Sequence, residues 1–503
     1  MDETLTYDVV VVGGGGSGLA AAVSCIEGGL RVLLLEKHEQ LGGTTGIAIG
    51  SFTANGTRFQ QRAGIDDSFS DHDVDAGKFA EQEIEARNNS SLRKYFLSHT
   101  AETLHWLADK GLAFHGPSPE PPNRVPRMHN VVPNAKAYVA TLHSALIRGG
   151  GHVQCGCEVV ELVVNENRIQ GVVARRQNGE LLHVTAQRAV VLASGDYAAS
   201  SELISTHKGE QFAAIEGINS RAVGDGHRLV DAVGGQLLNM DVTYGPEIRF
   251  VPPPSRHGGF TQLLPTSGPF SRLLGKLLPL APKFLIQSFI KRLLVTWQHP
   301  EDSLFDDGAI LINQRGDRFT DERDWPAREV QLAQQPEKIG YILLDEALIE
   351  RYSQWPHFIS TAPEIAYAYV NDYLRLRADV AAKSNSVEQL ARLRNIPADN
   401  LIKTIERYNE SAHAKSRRQL SGTEWALLGP VKAYFTTTEG GAAISQQLEV
   451  LSASGERIPG LYAVGQIGLG GQILWGHGLH IAWAMTSGRL VGMHLAELNS
   501  RDA

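Results

Sequence analysis

The stretch that most constrains this chain is YDVVVVGGGGSGLAAA, residues 7–22. Its β-branched run fits a buried parallel strand. Gly13, Gly15 and Gly18 then fall in the Gly-x-Gly-x-x-Gly spacing, and small residues suited to helix packing follow. Strand, tight turn and helix are specified in that order. Gly13 permits the turn and Gly15 lets backbone N–H groups approach a pyrophosphate. Gly18 lets the helix sit close to the strand with its positive end toward the phosphates, and Gly16 and Ser17 belong to the same turn. The next strand, RVLLLE, closes on Glu36, roughly the ~20-residue offset of a carboxylate that binds ribose hydroxyls. Glu36, with Lys37 beside it, predicts a dinucleotide whose ribose carries no phosphate.

At 503 residues the chain exceeds the ~250–300 at which single cores stop growing, so two domains are expected. With 42% hydrophobic and 20% charged residues the composition is that of an ordinary soluble protein, and a net charge of −8 argues against a nucleic-acid partner. Cys155 and Cys157 are one residue apart and Cys25 is distant, a pattern that disfavours a structural disulfide and suits a reducing compartment. The start MDETLTYDVVVV is acidic where a secretory signal would be basic. A cytoplasmic protein is the expectation.

Five ordered segments beyond the first unit carry a family resemblance. EKHEQLGGTTGIAIGS (36–51) resembles the FAD-binding continuation of glutathione-reductase-like flavoproteins, where Gly42, Gly43, Thr44, Thr45 and Gly46 would run beside pyrophosphate and flavin. AVVLASGDYAAS (189–200), with Ala193, Ser194 and Gly195, is similar to the Ala-Thr-Gly-Gly strand end. AVGDGHRLVDAVGG (222–235), with Asp225, is similar to the Thr-Gly-Asp-Gly helix start. ILINQRGDRFTDE (310–322) resembles the Val-Asn-x-x-Gly-x-Arg-Phe-x-Asn-Glu segment, and IPGLYAVGQ (458–466), ending in Gly465 and Gln466, the Ile-x-Gly-Leu-Tyr-Ala-x-Gly-Glu segment. Together they resemble the fumarate reductase and 3-ketosteroid dehydrogenase flavoprotein superfamily over nearly the whole chain. The resemblance implies an α/β, Rossmann-type FAD-binding domain split into 1–240 and 432–503, with an α+β catalytic cap at 241–431 and the active site between them. Covalent-flavin members carry a histidine near the Gly-Gly-Thr turn, but here the nearest, His38, precedes it. Non-covalent FAD is therefore implied.

The common reaction of the group moves a hydride between flavin N5 and a carbon β to an electron-withdrawing carbonyl, with a proton exchanged at the α carbon. Fumarate reductases clamp a dicarboxylate with two histidines and two arginines. By alignment this chain has Tyr244 and Thr437 at the histidine positions, Trp475 or Gly476 at one arginine, and Trp325 or Pro326 at the other, with Arg323 and Arg328 flanking. Indole and phenol cannot replace bidentate guanidinium bonds, so fumarate and succinate are not expected substrates. Tyr244, Trp325, Trp475 and Tyr197 instead predict a largely apolar pocket for a lipophilic ketone.

In the ketosteroid dehydrogenases a tyrosine hydroxyl and a glycine N–H hold the substrate carbonyl. Gly478 matches the glycine, whereas Leu474 stands at the tyrosine, which leaves His477, Tyr197 and Tyr244 as alternative donors. Leu479 follows in the flavin-facing segment, His480 and Trp483 read as packing residues, and His129 lies in a loop that faces either solvent or the cap cleft. No metal is expected, because His477 and His480 have no neighbouring ligand set. Residues 260–297 are basic and rich in Leu, Ile and Phe, which fits either a membrane-surface segment or a pair of buried cap helices. The first would bring in lipophilic substrate and let a quinone or another acceptor take electrons. The preferred sequence reading is α,β-dehydrogenation of a cyclic or steroidal ketone; the alternative is ene-reduction of an unsaturated acid or ketone.

Overall fold

A computed structural model describes residues 3–253, 295, 298–362, 366–414 and 417–501. The 260–297 segment read above as basic and apolar therefore lies, save for Val295, outside the described residues. None of the described helices is long and apolar enough to cross a membrane.

The first sheet is built on Glu3–Val12, which pairs in parallel with Val32–Glu36 on one side and Leu181–Leu192 on the other. His152–Cys155 and Arg457–Ala463 extend the parallel array at either side, so one of its strands comes from the far end of the chain. The valine run forms a strand because both faces are covered: Val9, Val10 and Val11 are fully buried, each such side chain contributing roughly 1.5–3 kcal/mol on leaving water. Helix Gly16–Glu27 crosses the C-terminal helix Leu479–Arg501 closely. A side-chain carbon at Gly488 would lie 2.4 Å from the Ser17 carbonyl oxygen, and one at Gly492 2.5 Å from Ser24, so glycines four apart make the crossing possible. Ser24 Oγ donates across it to the Arg489 carbonyl at 2.8 Å.

A second, six-stranded sheet centres on Trp425–Phe435. Glu247–Phe250, Gly340–Asp345 and Ala381–Ser384 pair with it antiparallel, and Glu216–Gly217 in parallel. The expected boundaries at 240 and 432 meet a continuous structure here: the central strand runs through the second, and Glu216–Gly217 joins this sheet from before the first. The two chain crossings between the sheets also pair with each other, Thr243 and Tyr244 opposite Thr438 and Thr437. That pairing fixes which side chains meet at the junction. A small third sheet, Ser51–Thr53, Ala113–Ser118 and Met128–Val132, closes one side.

Candidate active site

The glycine turn forms as its spacing predicts. Gly13 has a φ of +111°, and a side-chain carbon there would sit 2.4 Å from the Ala193 carbonyl oxygen; at Gly18 it would sit 1.9 Å from that of Gly13. No atom comes nearer than 4.0 Å to the same position on Gly15, which faces open space. Glu36 braces the turn, accepting from the N–H groups of Gly14 at 2.7 Å and His38 at 2.9 Å. The 42–46 turn docks beside it, Gly42 N–H donating to the Gly14 carbonyl at 2.9 Å and Gly46 N–H to that of Gly42. Asn219 holds the Thr44 hydroxyl at 2.9 Å.

These elements line one end of a cleft of about 410 Å³. That lies within the ~300–1,000 Å³ of ordinary small-molecule sites. Gly13, Gly15, Gly16, Ser17, Glu36, Gly43, Thr44, Thr45, Ala193, Ser194, Gly195 and Gln466 reach it. Two buried acceptors there, Ser194 Oγ and Gln466 Oε1, have no hydrogen-bond partner among the described residues, as expected of groups reserved for a ligand.

Seven expected cofactor residues serve the cleft only indirectly or not at all. Gly18, Gly42 and Gly46 shape the turns without lining the space. Lys37 is drawn away to Glu158 at 2.8 Å and Asp225 at 3.0 Å, which removes both Lys37 and Asp225 from the expected contact. Gly465 spends its N–H on Ser487 and its carbonyl on Trp483, and Leu479 faces the core.

At the other end, Tyr244 meets Trp475 edge-on with ring centroids 5.6 Å apart, and Tyr244, Thr437, His477 and Gly478 line the cleft. The 475–478 segment is held against the third sheet by Thr53, whose hydroxyl donates to the His477 carbonyl at 2.6 Å. Gly478 has a φ of +88° and room for no side chain, its nearest neighbours being Ser51 and Thr53 at 2.9 Å. Four expected pocket residues stand outside the lining: Trp475 backs Tyr244 without reaching the cleft, and three others lie farther away. Tyr197 is fully buried, its hydroxyl donating to the Met240 carbonyl and its ring edge-on to His227, because the core behind the Ala-Ser-Gly strand end claims it. Trp325 is half-exposed and donates to the Pro246 carbonyl at 3.0 Å, outside the lining. His129 faces neither solvent nor cleft: it is buried on a strand, bonded to the Thr57 hydroxyl at 3.1 Å, and burial pushes its pKa down to about 4.

The lining is also more polar than the aromatic substitutions predict. Glu120, from the loop after Ala113–Ser118, accepts from His477 Nδ1 at 2.6 Å. Burial works against charge on His477, but this bond and the carboxylate's charge together raise its pKa above the usual imidazole value. His480, expected as packing, lines the cleft and bonds the fully buried Glu439 at 2.7 Å; Trp483 is the buried packing residue. Glu247 and Arg249, two apart on one strand and hence on one face, pair at 2.7 Å. Burial alone would raise the Glu247 carboxyl, yet Arg249 and His299 hold it down to about 2. The Glu-x-Arg alternation in PEIRF carries a signal for that pair. Nothing local marks Glu120, 357 positions from its partner.

A family model described as an FAD binding domain matches residues 8–266 and 277–476. The chain belongs to that family of flavoproteins. FAD is its cofactor, and the cradle around Gly13, Gly15 and Ser194 has the shape and spare acceptors to hold it. Among curated proteins it is similar to the NADH:fumarate oxidoreductase of Klebsiella pneumoniae, 25% identical over 92% of this chain and 44% of the relative, so it spans under half of that protein. It is similar end to end to the vinyl phenol reductase of Lactiplantibacillus plantarum, 24% identical over 98% of both chains. Solved structures with this fold include the open conformation of a flavocytochrome c3 fumarate reductase, at a TM-score of 0.73 with 22% identity over 98% of this chain and 78% of that one. Another is the 3-ketosteroid delta1-dehydrogenase of Sterolibacterium denitrificans, at 0.63 with 17% identity over 98% and 100%. The expected tilt toward the ketosteroid enzymes is not what sequence similarity favours, since the curated relatives named here are a fumarate oxidoreductase and a vinyl phenol reductase.

Proposed function

We propose that the protein is an FAD-dependent ene-reductase of an alkene conjugated to a carbonyl or comparable hydrogen-bond-accepting group, with FAD held non-covalently. The observation that carries this reading is His477: a cation-favouring imidazole beside Gly478, on the lining of the cleft whose other end is the FAD cradle. FAD, when bound, supplies the hydride. Gly478 N–H, which makes no hydrogen bond among the described residues, and the Tyr244 hydroxyl hold the activating oxygen as negative charge develops on it. His477 delivers a proton from Nε2 to the α carbon, and Glu120 keeps Nδ1 engaged so that the other nitrogen faces the cleft.

The same parts run in reverse would dehydrogenate a ketone. The charged pairs at this end, His477 with Glu120 and Glu247 with Arg249, support reduction of a small conjugated substrate over oxidation of a steroid-sized apolar one, since the expected aromatic wall loses Tyr197, Trp325 and Trp475. Electron exchange with a quinone pool or another carrier is part of the proposal. The test is anaerobic. Dithionite-reduced enzyme is expected to be reoxidised by 4-vinylphenol or cyclohexenone, while saturated ketones leave the oxidised flavin unbleached. Bleaching by a saturated ketone, with no reoxidation by any alkene, overturns the direction.

A further inference from the structure

We infer that Asn123 is a positioning residue for the proton donor: its side-chain amide, oriented by Arg127, holds the Glu120 carboxylate in the attitude that engages His477. The inference deepens the proposed ene-reductase reading and rests on it for the role of His477 as donor. Glu120 Oε1 is taken by His477, and Glu120 Oε2 accepts from Asn123 Nδ2 at 3.4 Å, its one donor among the described residues. The amide cannot serve the other way round. Asn123 Oδ1 accepts from Arg127 Nη1 at 2.9 Å, and a guanidinium only donates while an ionised carboxylate only accepts, so both neighbours select the same orientation. The Asn123 backbone N–H also donates to the Glu120 carbonyl at 2.9 Å, closing the Glu-Pro-Pro-Asn turn that carries both side chains.

Arg127 is the fixed point of this arm. Its side chain is fully buried and pairs with Asp67 at 2.7 Å and with the fully buried Asp75 at 2.6 Å. Asp75, on helix Phe69–Ala76, also accepts from the Arg124 backbone N–H at 3.0 Å, so the chain just past the turn is tied to the same helix. Loss of the Asn123 amide therefore leaves Arg127 paired, whereas it strips Glu120 Oε2, on a side chain only 5% exposed, of its donor. An N–H aimed at a carboxylate oxygen stabilises negative charge there, and that charge is what holds the proton on His477. Burial opposes the His477 cation, Glu120 and Glu247 favour it, and Arg249 sides with burial; a change at position 123 touches only the Glu120 part. His480 and Glu439, the next charged groups along the cleft, are engaged with each other.

The deciding experiment follows the His477 imidazole by NMR through a pH titration of histidine-labelled oxidised holoenzyme, so it needs no turnover. The signal is assigned by its loss in His477→Gln. Asn123→Leu is expected to retain FAD and to show a His477 midpoint below that of wild type but above that of Glu120→Gln, because the carboxylate remains and only its hold is lost. A midpoint equal to or above wild type overturns the inference even if Tm falls, since a merely structural residue would lower Tm alone. Where Asn123→Leu does not fold, Asn123→Ser decides by the same reading, its hydroxyl stopping one bond short of the amide nitrogen. A lowered midpoint there supports the inference, and an unchanged one overturns it. Alkene reduction then separates the inference from the reading beneath it. An alkaline limb that moves down with the midpoint supports both, whereas a lowered midpoint in an enzyme that no alkene reoxidises sinks the ene-reductase reading and leaves the hold of Asn123 on Glu120 and His477 established.

Discussion

Glu120 holds His477 twice through one oxygen: Oε1 accepts from the His477 backbone N–H at 2.8 Å and from its Nδ1 at 2.6 Å. The carboxylate is almost wholly buried while the imidazole is half-exposed to the cleft, so the pair is anchored on one side and open on the other.

This pairing predicts the pH profile of alkene reduction. His477 has a raised pKa, so the protonated donor is present below it and lost as pH rises through it. Glu120→Gln removes the charge that holds the proton, and the alkaline limb of activity is expected to move to lower pH. His477→Gln should slow reduction roughly 100-fold with little change in ligand binding to the oxidised flavin. An unmoved limb in Glu120→Gln argues against His477 as the donor.

The two tyrosines separate structure from chemistry. Tyr197→Phe leaves the buried Met240 carbonyl without its donor and should cost about 1–3 kcal/mol of stability, read as a lower Tm, with the reduction rate of folded enzyme nearly unchanged. Tyr244→Phe should leave Tm nearly unchanged and lower kcat/KM for an enone by roughly 10- to 100-fold. The opposite pattern would return Tyr197 to the site.

Gly13→Ala tests the cradle. The added carbon would lie 2.4 Å from a backbone oxygen at a φ of +111°, so the turn has to open. Purified protein is expected to contain far less than stoichiometric FAD, measured after acid release, which also checks that the flavin is not covalently bound.

Acid should destabilise the fold through buried neutral histidines. Burial holds His129 and His227 down to about 4, and Nδ1 of each lacks a partner among the described residues, so a proton there is an uncompensated buried charge. Their folded pKa values lie below the unfolded ~6.5, so the stability each contributes is present above pH ~6.5 and is lost as pH falls through 4, about 3 kcal/mol each as an upper bound. Tm should drop across that window, and His129→Gln should flatten the drop.

Much of the cofactor end is local and therefore readable. The valine run, the Gly13-x-Gly15-x-x-Gly18 spacing and Glu36 lie within one strand-turn-helix-strand unit, where each residue's role follows from backbone geometry over a few neighbours. Even there, Lys37 and Asp225 were legible as neighbours of the site but not as each other's partners, because 188 residues separate them.

The substrate end is different in kind. Its aromatic replacements are visible in the chain, yet only packing distinguishes Tyr244, on a strand facing the cleft, from Tyr197, swallowed by the core. Sequence by itself determined an FAD-binding turn, since a phosphate cradle needs small residues at fixed short spacing. Tertiary structure decided the charge of the cleft, because Glu120 with His477, Glu439 with His480 and Thr436 with Glu247 are brought together by sheets formed from distant strands. A residue's identity fixes which charges it can carry; only the fold fixes which of them are already answered.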